Sequence, residues 1–241
     1  MYLLRTNRNA RYPNRVRALP GKATRQPPGP EPVSRAASAD DQRRRILEAV
    51  AALVAEQGYG ATTIEQVVRR ARVGYATFYK HFADKEEAFL ALLDTATERT
   101  AYEVEEAFDR EDGPWPDKVG AGLGALLERV AAHPDVARAC LVEAPTAGPR
   151  AAERHEAALR RFAPLLRGGR ELNPRSARLP ETLEDTLASG VVWVIVQRLV
   201  AGEEARLRAL LPETLEFLLR PYVGEEEAAR EAGGAAGAAG A

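Results

Sequence analysis

The chain has one cysteine, Cys140, among its 241 residues, so no internal disulfide can form and the cysteine-rich zinc sites are excluded. Its three histidines, His81, His133 and His155, lie far apart in sequence and show no metal-ligand spacing. No apolar run approaches the roughly 18 residues needed to span a bilayer. The basic N-terminus is followed by no apolar stretch, so it does not read as a secretory signal. There is no HExxH, no glycine-rich phosphate loop and no serine elbow, so an enzyme lacks its usual signatures. Glu153, His155 and Glu156 cluster along one helix, but charged residues so placed are usually a solvated face. With 34 basic against 35 acidic residues the net charge is -1, which excludes a uniformly basic protein but not a basic patch. A cytoplasmic protein without metal or cofactor is the expectation.

What is present divides the chain into regimes. Residues 1–37 hold Arg5, Arg8, Arg11, Arg15, Arg17, Lys22, Arg25 and Arg35 against a single acid, Glu31, and prolines recur from Pro13 to Pro32. Such a segment buries too little apolar surface to offset its ordering entropy and reads as a disordered arm. Residues 224–241 begin acidic and end in Gly and Ala, and read as a disordered tail. Between them the apolar spacing is helical throughout, and no strand pattern competes. The expected fold is all-α, with about nine helices: a three-helix head over 38–90 and a larger helical body over 91–223.

Local signals place the elements. The Ser38-to-Asp41 spacing fits a capping box, Ile46, Leu47, Val50, Leu53 and Val54 form an apolar stripe, and Gly58 fits the stop. Thr62 and Thr63 precede a short helix with Val67, Val68 and Ala71, for which Glu65 and Gln66 are placed for capping. Asp84 and Glu87 cap a long helix striped by Phe89, Leu93, Ala96, Thr100, Val104 and Phe108. In the body, the spacing predicts helices over 117–132, 135–143, 149–167, 181–201 and 203–222. The run from Val191 to Val196 resembles a strand, but Leu187, Leu199 and Val200 continue the helical phase.

The stretch from Thr62 to Lys85, TTIEQVVRRARVGYATFYKHFADK, carries the functional signal. Two short helices separated by a turn at Arg72-Val73-Gly74 follow the helix-turn-helix plan over about 64–83, in which the second helix enters the DNA major groove. Val67, Val68, Ala71, Val73, Phe78 and Phe82 can hold the pair together. Tyr75, Ala76, Thr77, Tyr79, Lys80 and His81 remain for the outward side, with hydroxyls, an imidazole and an ammonium suited to phosphates and base edges. Thr62 or Thr63 can present free N–H groups to a phosphate, and Lys85 is a further phosphate candidate. Residues 42–85 carry a net charge of about +4, whereas 95–241 carry about -7, which favours docking head-first.

These residues resemble the TetR family of bacterial transcriptional regulators. The likeness rests on Ile46-Leu47 with Ala49 and Leu53, Gly58-Tyr59, Thr62-Thr63, Thr77-Phe78-Tyr79-Lys80-His81-Phe82 and Lys85-Glu86. It implies an all-helical homodimer paired through the last two long helices, a head that binds a near-palindromic operator in double-stranded DNA, and a body that binds a small-molecule effector. Carried over, Thr63, Thr77, Tyr79, His81 and Lys85 would contact phosphates, while Tyr75, Ala76 and Lys80 would lie at or near base edges. The implied function is a ligand-released repressor; a helical interaction module without DNA binding is the alternative. Arg72 stands where glycine is usual in the turn, which would cost about 1 kcal/mol if the residue is left-handed. Arg72 could offset this with a phosphate contact. Gly74 stands where a capping Ser is usual, Ala76 replaces a glycine and Val68 an alanine. Cys140, Phe162 and Trp193 are candidates to line an effector cavity, and fit a solid core equally well.

Overall fold

The computed structural model describes residues 32–239, and every regular element among them is helical. Helix α1 spans Pro32–Gln57, α2 Ile64–Ala71, α3 Tyr75–His81 and α4 Lys85–Arg110. The first three, with the start of α4, form the head. Ile46, Val50, Val54, Val67, Phe78 and Phe89 are almost completely removed from water and make its core. Burying an aliphatic or aromatic side chain of this size contributes about 1.5–3 kcal/mol, so these residues anchor the arrangement of the short helices.

The body begins on α4. Helix α5, Trp115–Ala132, runs antiparallel to it: Arg129 pairs with Glu103 at 2.9 Å, and Gly122 lies against Val104. Helix α6, Pro134–Ala137, continues into a π-helical turn at Arg138–Glu143. Helix α7, Pro149–Arg160, runs parallel to α4, tied by Arg150–Glu86, Arg154–Asp94 and Arg161–Glu105 at 3.1, 2.8 and 3.3 Å. Helices α8, Ala163–Arg167, α9, Leu183–Ala201, and α10, Leu211–Val223, complete a second core around Leu127, Ile195, Leu199 and Leu219.

Several boundaries differ from the sequence expectation. Helix α1 starts at Pro32, so Ser38 lies inside it and caps nothing; the reading of 1–37 as an arm falls otherwise outside the described residues. The single helix expected over 149–167 breaks between Arg160 and Ala163, because Pro164 has no N–H to give the Arg160 carbonyl. The helix expected from 203 starts only at Leu211, with Pro212 in its first turn, after two short 3₁₀ turns. The tail reading is overturned for Glu225–Ala239, which forms α11. Its Ala228 and Ala232, one turn apart, are buried, a face too small-chained to register as amphipathic.

Candidate functional site

Thr63 caps α2 through a complete capping box: its backbone N–H donates to Gln66 Oε1 at 2.8 Å, and its hydroxyl oxygen accepts from the Gln66 N–H at 3.3 Å. The other end closes as a Schellman motif, with the Arg72 N–H on the Arg69 carbonyl and the Val73 N–H on the Val68 carbonyl. Arg72 supplies the required left-handed residue at φ 54°, ψ 46°, and is the one non-glycine with positive φ among the described residues. Arg45 adds a cap that the sequence did not reveal, donating Nη1 to the Ala71 carbonyl at 3.2 Å. Gly74 then caps α3 with no side-chain bond, and an added Cβ there meets open space.

Helix α3 is held from below and bare above. Phe78 and Phe82 are buried, 5.9 Å apart between ring centroids, and the Arg43 guanidinium covers the Phe82 ring at 5.6 Å. Tyr75 and Tyr79 are 50% and 55% exposed, a large aromatic outlay on seven residues unless that surface meets a partner. Ala76 and Lys80 are exposed with them, and Thr77 is half-buried. His81 is also half-buried, and its Nε2 is enclosed without a hydrogen-bond partner among the described residues. Burial, then the charges of Lys80 and Arg43, hold His81 below the ordinary histidine range despite Asp40.

Two sequence candidates are turned inward. Thr62 is buried, and its hydroxyl donates to the Gly58 carbonyl at 2.9 Å, so its side chain faces no partner. Lys85 Nζ donates to the Tyr59 and Thr62 carbonyls, both at 2.9 Å, and sits 4.2 Å from the centre of the Tyr59 ring. Burial lowers its affinity for its proton. Both residues secure the loop between α1 and α2 beneath the exposed face.

The body contains a cavity of about 160 Å³ bounded by α4, α5, α7 and α9. Cys140 and Phe162 line it; burial pushes the Cys140 thiol up to about 12 against the opposing charge of Arg129, so the thiol stays protonated. Trp193 does not line it: the side chain is 64% exposed on the outer side of α9. The reason is helical phase, since Val191 and Ile195 take the inward positions on either side of it.

Residues 46–92 match the family model described as "Bacterial regulatory proteins, tetR family". Among curated relatives, the uncharacterized HTH-type transcriptional regulator YhgD of Bacillus subtilis (strain 168) is 34% identical over 88 residues, covering 36% of this chain and 46% of that protein. The chain thus spans under half the length of the curated relatives it matches. Among solved structures, the fatty acid degradation regulator FadR from Bacillus halodurans superposes with TM-score 0.66 at 18% identity, over 73% of this chain and 97% of that one. TylP, a TetR regulator from Streptomyces fradiae, gives 0.63 at 23% identity, over 80% and 91%. These structural likenesses establish the fold of head and body together. The head defines a helix-turn-helix protein. Within residues 46–92 that head is similar to the TetR family of bacterial regulators, and the all-helical fold around it is the one TylP shares.

Proposed function

We propose that the protein is a dimeric, DNA-binding transcriptional repressor of the cytoplasm, released from its operator by a small molecule held in the body. The observation that carries this reading is α3 itself, anchored by Phe78 and Phe82 while Tyr75, Ala76, Tyr79 and Lys80 stand clear. An exposed helix of this width fits the major groove, where side chains from its face reach base edges. Arg72, Thr77 and Tyr79 address phosphates, Gly74 lets the backbone approach, and Thr63 presents the start of α2. His81, held below the ordinary histidine range by burial and by the charges of Lys80 and Arg43, is offered as a hydrogen-bonding group on the same helix. Enzymatic function has no support in the relatives, which are described as regulators.

Dimerisation is supported by large apolar side chains left exposed on α9 and on its neighbour α10. Trp193 and Val200 are 64% and 59% exposed, and Phe217 on α10 is 46% exposed. Pairing these faces from two copies covers an apolar surface that is costly in water and presents two α3 helices to successive grooves, on the order of one or more helical turns apart. Binding in the cavity acts by favouring a head separation that mismatches the operator.

The decisive experiment is a gel shift of the full chain with DNA upstream of its own coding sequence, over a salt series. Saturable, sequence-dependent binding with a steep salt slope is expected. Binding no tighter than to random duplex would remove the regulator reading and leave the interaction module. Trp193→Arg is expected to yield monomers by light scattering and to lose operator binding with the fold intact.

A further inference from the structure

The cavity is not uniform along its length. Its lining on α4 runs from Leu93 to Phe108, about 22 Å at helical rise. The cross-links fix which residues share a level: Arg154 stands beside Asp94, Arg129 beside Glu103, and Gly122 beside Val104 and Phe108. On this scale the head-proximal half is lined by Thr97, Thr100, Arg129, His133, Arg154 and His155. Beyond the level of Glu103 every lining side chain is apolar, including Val119, Leu123, Phe162, Leu166 and Leu218. No aspartate or glutamate lines either half.

The nitrogen-bearing groups keep capacity for a ligand. Arg129 and Arg154 each give one N–H to a carboxylate outside the lining, at 2.9 and 2.8 Å, out of the five a guanidinium carries. His155 donates Nδ1–H to the Cys140 carbonyl at 3.0 Å, and no protein group holds its Nε2 among the described residues. Arg129 is largely buried, with 12% of its side chain exposed, where a guanidinium favours a second anion. His133 stands exposed at the same end. A neutral apolar molecule would leave these donors facing hydrocarbon, which is unfavourable. A cationic one would face two arginines.

We infer that the cavity takes a single-tailed anionic amphiphile, its carboxylate or phosphate head among Arg129, Arg154 and His155 and its apolar tail laid along α4 toward Phe108. This rests on the reading of the cavity as the effector site. The head group then lies next to the π-helical turn that adjoins the DNA-binding head, so occupancy and the pose of that turn are linked through the same residues.

The test is calorimetric titration of the full chain with dodecanoate, dodecyl phosphate and dodecanol, each kept below aggregation, beside gel shifts with and without each compound. One or both anions are expected to bind at least about tenfold more tightly than the alcohol, and which anion leads identifies the head. Arg154→Gln, at a half-exposed side chain whose loss the fold tolerates, is expected to erase most of that preference while dodecanol binding persists. Arg129→Gln should do the same, with a melting curve to check its fold. Equal binding of the alcohol, binding of none of the three, or an anion preference that survives in Arg154→Gln and Arg129→Gln, would overturn the inference. Anion binding that leaves operator affinity unchanged would instead keep the ligand class and remove the effector role.

Discussion

Glu143 Oε2 accepts a hydrogen bond from the Tyr59 backbone N–H at 3.0 Å, joining residues 84 positions apart in the chain. Glu143 ends the π-helical turn whose Cys140 and Leu141 line the cavity, and Tyr59 opens the loop that leads to α2. A π-turn is a common mark of a functional bend in a helix. The contact is therefore a direct connection from cavity wall to head. Glu143→Ala is expected to speed hydrogen exchange at the Tyr59 amide by about tenfold or more, since its acceptor is lost. Glu143→Gln, which keeps a carbonyl oxygen at the same reach, should restore most of the protection. Unaltered exchange in the alanine variant would show that the head does not depend on this bond.

The turn of the helix-turn-helix invites a second test. Arg72 holds φ 54°, where a Cβ costs about 1 kcal/mol relative to glycine, and Gly74 caps α3 without a side-chain bond. Arg72→Gly is expected to raise stability by about 1 kcal/mol in chemical denaturation while weakening DNA binding, because an exposed cation leaves the phosphate face. Gly74→Ser adds a cap into open space and should add a few tenths of a kcal/mol. Arg72→Gly that is stabilised and binds DNA as before would show that Arg72 touches no phosphate.

The head was legible in the sequence because its signals are local. Phe78 and Phe82 one turn apart, Asp84 with Glu87, and Thr63 with Gln66 each specify contacts within a few residues. The phase of α9 also follows from its apolar positions, but hydrophobicity alone places Trp193 inward, whereas Val191 and Ile195 already fill that side. What could not be read was pairing over distance. Nothing near Glu143 announces Tyr59, and nothing near Arg45 announces the Ala71 carbonyl. The tail failed for a different reason: α11 uses buried alanines on a Gly/Ala background, where composition and helical packing give opposite indications.

Lys85 separates two accounts of one residue. A phosphate contact implies that Lys85→Ala lowers the salt slope by about 0.9 and leaves the fold unaffected. In the structure its ammonium instead satisfies the Tyr59 and Thr62 carbonyls and covers the Tyr59 ring. Removing it leaves two half-buried acceptors, so a stability loss of about 1–3 kcal/mol is expected. Operator affinity should fall with the melting temperature, and the salt slope should hold. A slope decrease with an unchanged melt would return Lys85 to the DNA face.

Far from the head, Glu184 is buried and bound from two sides, by Arg170 at 2.6 and 2.9 Å and by the Tyr222 hydroxyl at 3.0 Å. Burial alone would raise its carboxyl, but the Arg170 guanidinium and Tyr222 outweigh it and hold Glu184 below the ordinary glutamate range. A folded-state value below the unfolded one stabilises the protein above the unfolded value, and that contribution disappears as pH falls through the folded value. Stability should therefore hold near neutrality and decline below about pH 4 in part through this group. Glu184→Ala leaves Arg170 and Tyr222 facing one another without their acceptor, and should cost about 2–3 kcal/mol, a melting shift of roughly 4–12 °C. Replacing the pair together, Glu184→Leu with Arg170→Met, removes the need for the acceptor and should recover much of that loss. The comparison across that range decides the matter: the wild type should lose stability relative to the double variant as the pH is taken from about 5 to about 3, and parallel pH profiles would show that Glu184 is not the group responsible.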